Sequence, residues 1–243
     1  MGAAELEVHV ATELRPFLAA RRRRERVRVS FDGTSSLGQV IESLGIPLPE
    51  VGPILVGGRA RSPSNRPSAG DVITVAAVSR PEPIPAPRFV LDVHLGALAR
   101  KLRLVGIDTA YANDLDDDTL IERANDERRV LLTQDRGLLR RHVLWRGAYV
   151  RGAHSDDQLR DVLDRFAPSL APWTRCTACN GELAPVQKAE VAHRLLPGTR
   201  RMYQEFARCR TCGRVYWRGA HSRRLEAVVE AARLTVAQRR RPD

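Results

Sequence analysis

Two CxxC pairs, CTAC at Cys176 and Cys179 and CRTC at Cys209 and Cys212, constrain this chain more than any other feature. A CxxC turn folds its backbone amides back as a knuckle and presents two sulfurs to one side, so two such turns supply the tetrahedral thiolate set that zinc takes. Disulfides, a redox CxxC and free buried thiols compete with that reading. All four cysteines fall in paired spacing and none is left over, which favours one structural zinc held by Cys176, Cys179, Cys209 and Cys212. Four protein ligands leave no open coordination position, so the site serves folding and not catalysis. About 29 residues separate the knuckles, against a usual interval of roughly 15–20, and a hairpin or extra strand is expected between them.

The cysteine-bearing third is also where the charge lies. Formal charges of +3 over residues 1–80, zero over 81–160 and +8 over 161–243 make up the net +11. Basic residues such as Arg194, Arg208, Arg210 and Arg214 alternate there with Tyr203, Phe206, Tyr216 and Trp217. Phosphate contact with base stacking is one use of such a surface, as for a single-stranded nucleic acid. The competing use is a small aromatic core, the better reading for Tyr216 or Trp217. No apolar run approaches the roughly 20 residues of a membrane helix, and the N-terminus lacks the order of a signal peptide. The expectation is a cytoplasmic protein with no membrane contact.

A chain of 243 residues holds two or three small domains. SRPEPIPAPR, from Ser79 to Arg88, carries four prolines that block helix and internal sheet pairing, and marks the clearest boundary. The expected division is a domain over 1–79, a Pro-rich linker over 80–87, an alternating α/β domain over 88–171, and a zinc module with a terminal helix over 172–243. Before the linker the pattern reads strand (Leu6 to Ala11), strand (Val27 to Phe31), helix (DGTSSLGQVIESLG), then strands from Pro53 to Val56 and Asp71 to Val78. This order resembles a ubiquitin-like β-grasp domain. A carrier of that class ends in diglycine, whereas here the last strand runs into Ser79-Arg80-Pro81, so carrier chemistry is not expected. The Arg21 to Arg24 run falls between the first two strands, as a solvated loop or as an RNA contact.

After the linker, strands and helices alternate: RFVLDVH, LGALARKLRLVG closed by Gly106, DTAYA, DDDTLIERANDER, RVLLT, RGLLRR, VLWRGAYV and SDDQLRDVLDRF. Such alternation implies a parallel sheet flanked by helices. Acids recur at the C-terminal side of these strands: Asp92, the cluster from Asp114 to Asp118, and Asp135. That edge of an open parallel sheet is where ligands bind. Converging carboxylates repel one another unless they hold a hard cation such as magnesium or manganese. Each acid taken singly has a simpler reading, since Asp117, Asp118 and Asp135 are all placed to cap helices. Asp92 is harder to dismiss, because an acid ending a buried strand is costly without a cation or donors.

LARKLRLVGID, LLTQDRGLL and YWRGAH after the second knuckle carry a specific likeness over residues 88–223. The chain resembles the Mut-seven C-terminal ribonuclease family, PIN-domain nucleases with a zinc ribbon, some of which carry an N-terminal ubiquitin-like domain. The resemblance implies an α/β, PIN-like parallel sheet between a β-grasp domain and a four-cysteine zinc ribbon. It implies metal-dependent RNA cleavage, with magnesium or manganese at Asp92, Asp117 and Asp135, and Asp118 a near-equal alternative for the second place. Arg100, Lys101, Arg136, Arg140 and Arg141 are candidates to position phosphates. The rival readings are a noncatalytic RNA-binding adaptor built on the zinc ribbon, and a protein-interaction module led by the β-grasp domain.

Overall fold

Leu6, Val8 and Val10 alternate along the first strand, β1 (Ala4–Val10), and all three are buried, so one face of this strand founds a core. In the computed structural model, which describes residues 4–85, 87–219 and 222–240, the chain forms two compact units: Met1–Ser79 with Asp135–Tyr149, and Arg80–Gln134 with Val150–Asp243. In the first unit β1 is followed by β2 (Arg26–Phe31), α1 (Leu37–Ser43), β3 (Val51–Val56), β4 (Arg59–Arg61) and β5 (Val72–Ala77). The sheet order is β2-β1-β5-β3-β4, with β1 and β5 parallel and the other neighbours antiparallel. Ser36 and Gln39 start α1 with a reciprocal capping box, and Val40 and Ile41 of α1 join the core of β1 and β5.

This is the expected β-grasp arrangement with one strand added. β4 escaped the sequence pattern because Arg59, Ala60 and Arg61 are all exposed and show no apolar alternation. It pairs with β3 across Gly57 and Gly58, whose φ values of +54° and +78° suit a two-residue hairpin turn. The Arg21 to Arg24 run lies between β1 and β2 as expected, beside the 3-10 turns Thr12–Phe17 and Ala20–Arg22.

The second unit opens with β6 (Arg88–Leu91), α2 (Gly96–Leu104), β7 (Asp108–Ala110), α3 (Asp117–Asp126) and β8 (Val130–Thr133). β6 pairs in parallel with β7 on one side and β8 on the other. Phe89, Val90, Leu91 and the whole of β8 are buried, the continuous apolar run of a strand covered on both faces. Gly106 ends the α2 turn at φ +88°, and a Cβ there would lie 1.9 Å from the Ala171 carbonyl oxygen. No other residue fits both the conformation and the approach.

Between the two stretches of this unit, Asp135–Tyr149 belongs to the first unit. Its expected helix is only a 3-10 turn, Leu138–Arg140, and its expected strand contracts to β9 (Gly147–Tyr149). Tyr149 meets Phe17 edge to face at 5.1 Å, and its N–H donates to Oε1 of the fully buried Glu50 at 2.9 Å. Arg136 lies over the Phe17 ring and donates to the carbonyls of Phe17 and Pro16. Arg140 donates to the Glu42 carbonyl at 2.8 Å. These two arginines thus make packing contacts within their unit, alongside the expectation that they position phosphates. Lys101 is likewise paired, with Asp156 at 2.5 Å.

α4 (Ser155–Phe166) packs against α2. The linker is not loose at its start, because Arg80 bonds Asp161 and Asp164 of α4 at 2.7 and 2.9 Å, and Glu82 pairs with the buried Arg165 at 2.8 Å. The cysteine module adds an antiparallel sheet ordered β10 (Leu183–Val186), β11 (Phe206–Cys209) and β12 (Val215–Tyr216). The insertion between the knuckles holds β10 and two short helices, α5 (Lys188–Val191) and α6 (Pro197–Met202). EVAHRLL, strand-like in sequence, is helical at its start because Gln187 and Glu190 form a capping box. α7 (Ser222–Arg240) buries Val229, Ala232 and Val236 and packs on α4. Among the described residues no helix is long and apolar enough to cross a membrane.

Candidate functional site

Cys176 and Cys179 sit on the turn that follows Arg175, Cys209 ends β11, and Cys212 lies on the turn that leads into β12. One ligand atom from each falls within 4.8 Å of all the others. The sulfurs of Cys176 and Cys212 are 3.7 Å apart and those of Cys179 and Cys209 3.4 Å apart. A tetrahedral ion with Zn–S bonds of about 2.3 Å separates its sulfurs by roughly 3.8 Å, whereas a disulfide requires about 2.05 Å. The quartet therefore fits a zinc ion and not a pair of disulfides.

The knuckles are shaped by their backbones. Cys209 Sγ accepts from the N–H groups of Thr211 and Cys212, both at 3.4 Å. Gly181 is required beside them, since a Cβ would stand 2.3 Å from Thr211 Oγ1 and 2.9 Å from Cys209 Sγ. Burial disfavours the Cys176 thiolate, but the Tyr216 hydroxyl and the N–H groups of Cys179 and Ala178 outweigh it and hold this thiol at about 6. Cys179 is pushed up to about 12, by burial and by the three neighbouring sulfurs. Four thiolates cannot share this volume by themselves, and a divalent cation removes the conflict.

Tyr216 takes the structural role expected of it, with its Oη 3.0 Å from Cys176 Sγ. Phe206 is buried with Val191 and Leu195 in the module's own core. Trp217 is 43% exposed and only borders that core. Arg194, Arg208 and Arg210 line one groove of the module, and Arg194, Arg214, Tyr216 and Trp217 line another.

Asp92 follows the last residue of β6 and is 8% exposed. Its N–H donates to the Leu132 carbonyl of β8. Its Oδ2 accepts from Thr133 Oγ1 at 2.6 Å and its Oδ1 from the His94 N–H at 3.3 Å. Among the described residues no Lys, Arg or His side chain pairs with it. His94 itself has an exposed side chain. Asp117 and Asp118 open α3 and are exposed, but neither is the cap: Asp116, in extended conformation, accepts from Thr119 N and Oγ1, both at 2.9 Å. Asp135 is exposed, and its Oδ1 accepts from Gly137 N at 2.6 Å. Among the described residues only the cysteines form a group of three or more such ligand atoms within 4.8 Å, so the aspartates are not drawn to that spacing.

Sequence reasoning did not single out Thr133, Asp108, Arg103 or Asn180. Arg103 carried a signal, since it stands on the apolar face of α2 next to Leu102 and is 3% exposed. Asp108, at the start of β7, gathers Arg129 at 2.7 Å, Asn180 at 2.8 Å and Arg175 at 3.7 Å. Only the packing of distant segments makes that cluster.

Comparison with known proteins gives two consecutive matches along the chain. The family model described as Mut7-C ubiquitin matches residues 3–82, and that of the Mut7-C RNAse domain matches residues 87–229. Curated proteins give no match. Among solved structures, SAMP1 from Haloferax volcanii is 17% identical, with 34% of this chain and 98% of that chain covered at a TM-score of 0.25. Small archaeal modifier protein 1 of H. volcanii is 19% identical, with 30% and 95% covered at a TM-score of 0.24. With its knuckles, parallel sheet and β-grasp sheet inside regions matched by these models over more than half its length, the chain belongs to the Mut7-C RNAse domain family.

Proposed function

We propose that this protein is a metal-dependent, PIN-like ribonuclease that hydrolyses RNA phosphodiester bonds at Asp92, Asp117 and Asp135, with Asp118 alternative to Asp117. The observation that carries the reading is Asp92. A buried carboxylate held by two donors and no cationic partner, at the C-terminal end of the central parallel strand, is costly unless a cation joins it. Membership in the RNAse family points the same way. Asp116, not Asp117 or Asp118, supplies the N-cap of α3.

Carboxylate donors suit magnesium or manganese, which supply an activated water and stabilise the leaving oxygen. Asp92 would be the fixed ligand, its orientation set by Thr133. Asp117 or Asp118 at the start of α3, and Asp135, would be the further ligands. The basic zinc ribbon would grip single-stranded RNA through Arg194, Arg208 and Arg210, with Trp217 available for stacking. Thiolate ligation presupposes a reducing compartment, in keeping with the cytoplasm. The ubiquitin-like domain offers a surface for a protein partner.

A second reading, the noncatalytic RNA-binding adaptor, is favoured by the open spacing of the aspartates. Incubating unstructured RNA with the purified protein and manganese, magnesium or chelator separates the two. Cleavage that requires the metal supports the nuclease; salt-sensitive binding without cleavage under any divalent ion supports the adaptor.

A further inference from the structure

β7 is an edge strand of the parallel sheet, with β6 on its other side. Edge strands present unpaired backbone groups that must be satisfied or covered. Both outward groups of its middle residue are met by groups that belong to, or hold, the first cysteine knuckle. The Thr109 N–H donates to Asn180 Oδ1 at 3.0 Å, and the Thr109 carbonyl accepts from Arg103 Nε at 2.9 Å. Asn180 follows Cys179 directly and stands at φ +71°, a conformation that asparagine tolerates. Its Nδ2 donates to Asp108 Oδ1 at 2.8 Å, and its own carbonyl accepts from Arg175 at 3.1 Å.

Arg103 completes the link from the helix side. Its Nη1 donates to the carbonyls of Thr177 and Ala178, at 3.2 and 2.8 Å, the two residues between the cysteines of the first knuckle. It is 3% exposed, and among the described residues it has no carboxylate partner. A buried guanidinium with only carbonyl acceptors needs a compensating charge. Burial lowers the Arg103 pKa and the Cys179 and Cys176 sulfurs act against that; a zinc ion bound by four thiolates carries a net double negative charge to balance the guanidinium.

We propose that Arg103 and Asn180 make the zinc knuckle the edge cap of the RNAse sheet, with Arg103 as the positioning residue and counter-charge of the zinc tetrathiolate. The zinc site is then a latch for the RNAse sheet itself and not an appended module. Metal loading orders β7, and the α2 to β7 corner in turn holds the knuckle ready for metal. This rests on the zinc reading of the four cysteines.

The test uses the full chain and two readouts independent of activity. One is zinc affinity by competition with a chromophoric chelator; the other is amide hydrogen exchange at β7 with and without zinc. Arg103→Met is expected to weaken zinc about 10- to 100-fold, the range for outer-sphere partners, with Arg103→Lys in between because it keeps the charge but loses the fork. Zinc removal from the native chain should speed exchange of the Thr109 N–H at least 10-fold while β1 exchanges as before. Asn180→Gly retains the backbone conformation and removes the amide, so it should speed Thr109 exchange even with zinc bound, should Arg103→Met fail to fold. Native zinc affinity in Arg103→Met, or β7 exchange indifferent to both metal and Asn180→Gly, overturns the proposal. Cobalt substitution distinguishes the underlying reading: absence of a tetrahedral cobalt–thiolate spectrum in the native chain would remove the zinc site and the latch together.

Discussion

Thr133 Oγ1 donates to Asp92 Oδ2 across 2.6 Å in a buried setting, joining the ends of two adjacent parallel strands. A hydrogen bond to a carboxylate is among the stronger ones, and it fixes which oxygen remains to face a cation. Thr133→Val keeps the shape of the side chain and removes the donor. It should raise the manganese concentration for half-maximal RNA cleavage about 10-fold or more, and cost about 1–3 kcal/mol of stability in denaturant unfolding. An unchanged metal requirement would remove Thr133 from the site.

Removing a metal held by the four cysteines should act differently. Cys209→Ser, or a strong chelator, is expected to abolish zinc binding and loosen β10 to β12, because the small core of Val191, Leu195 and Phe206 is too small to hold the module without its metal. Zinc analysis should give about one ion per native chain, and the same in Asp92→Asn. Loss of zinc in Asp92→Asn would contradict the separation of the two sites.

Acid should weaken the second unit through Asp108. Burial opposes its charge, but Arg129 and Asn180 bond it and Arg175 lies near, so its folded pKa falls below the unfolded value. A depressed carboxyl contributes stability that is fully present above its ordinary value of about 4 and is lost as pH falls through the lower folded value. Denaturant midpoints measured from pH 7 down to 3 should drop steeply below about 4 in the native chain. Asp108→Asn should be less stable at neutral pH, and its decline in acid should be shallower.

The groove of the zinc module carries a prediction about RNA. Replacing both Arg208 and Arg210 by Ala should weaken binding of single-stranded RNA of any sequence, and reduce the slope of log affinity against log salt by roughly 0.7 for each phosphate no longer neutralised. Unchanged salt dependence would assign RNA to another surface. Filter binding over a range of salt concentrations reads this directly.

Much of the fold was legible because its signals are local. SDDQLRDVLDRF and the terminal helix match α4 and α7, and the Gly106 stop marks a backbone corner that only glycine can turn. The cysteine quartet was legible because two short turns contain all of its chemistry. What escaped was either too exposed to show a pattern, as in β4, or set by distant partners. Arg136 and Arg140 look the same in sequence as any surface arginine; their contacts to the Phe17 ring and to backbone carbonyls come from distant segments. Asp116 took the capping role from Asp117 and Asp118 because the helix begins earlier than the apolar pattern does. The knuckle's grip on β7 depends on residues more than 70 positions apart, beyond any local signal.

The most direct test of the nuclease reading is single-turnover cleavage of unstructured RNA under saturating manganese, comparing the native chain with Asp92→Asn. Metal-dependent cleavage is expected to fall by 100-fold or more in the variant, on the order of 3 kcal/mol in the barrier, while zinc content and RNA affinity stay native. Full activity in Asp92→Asn would contradict it.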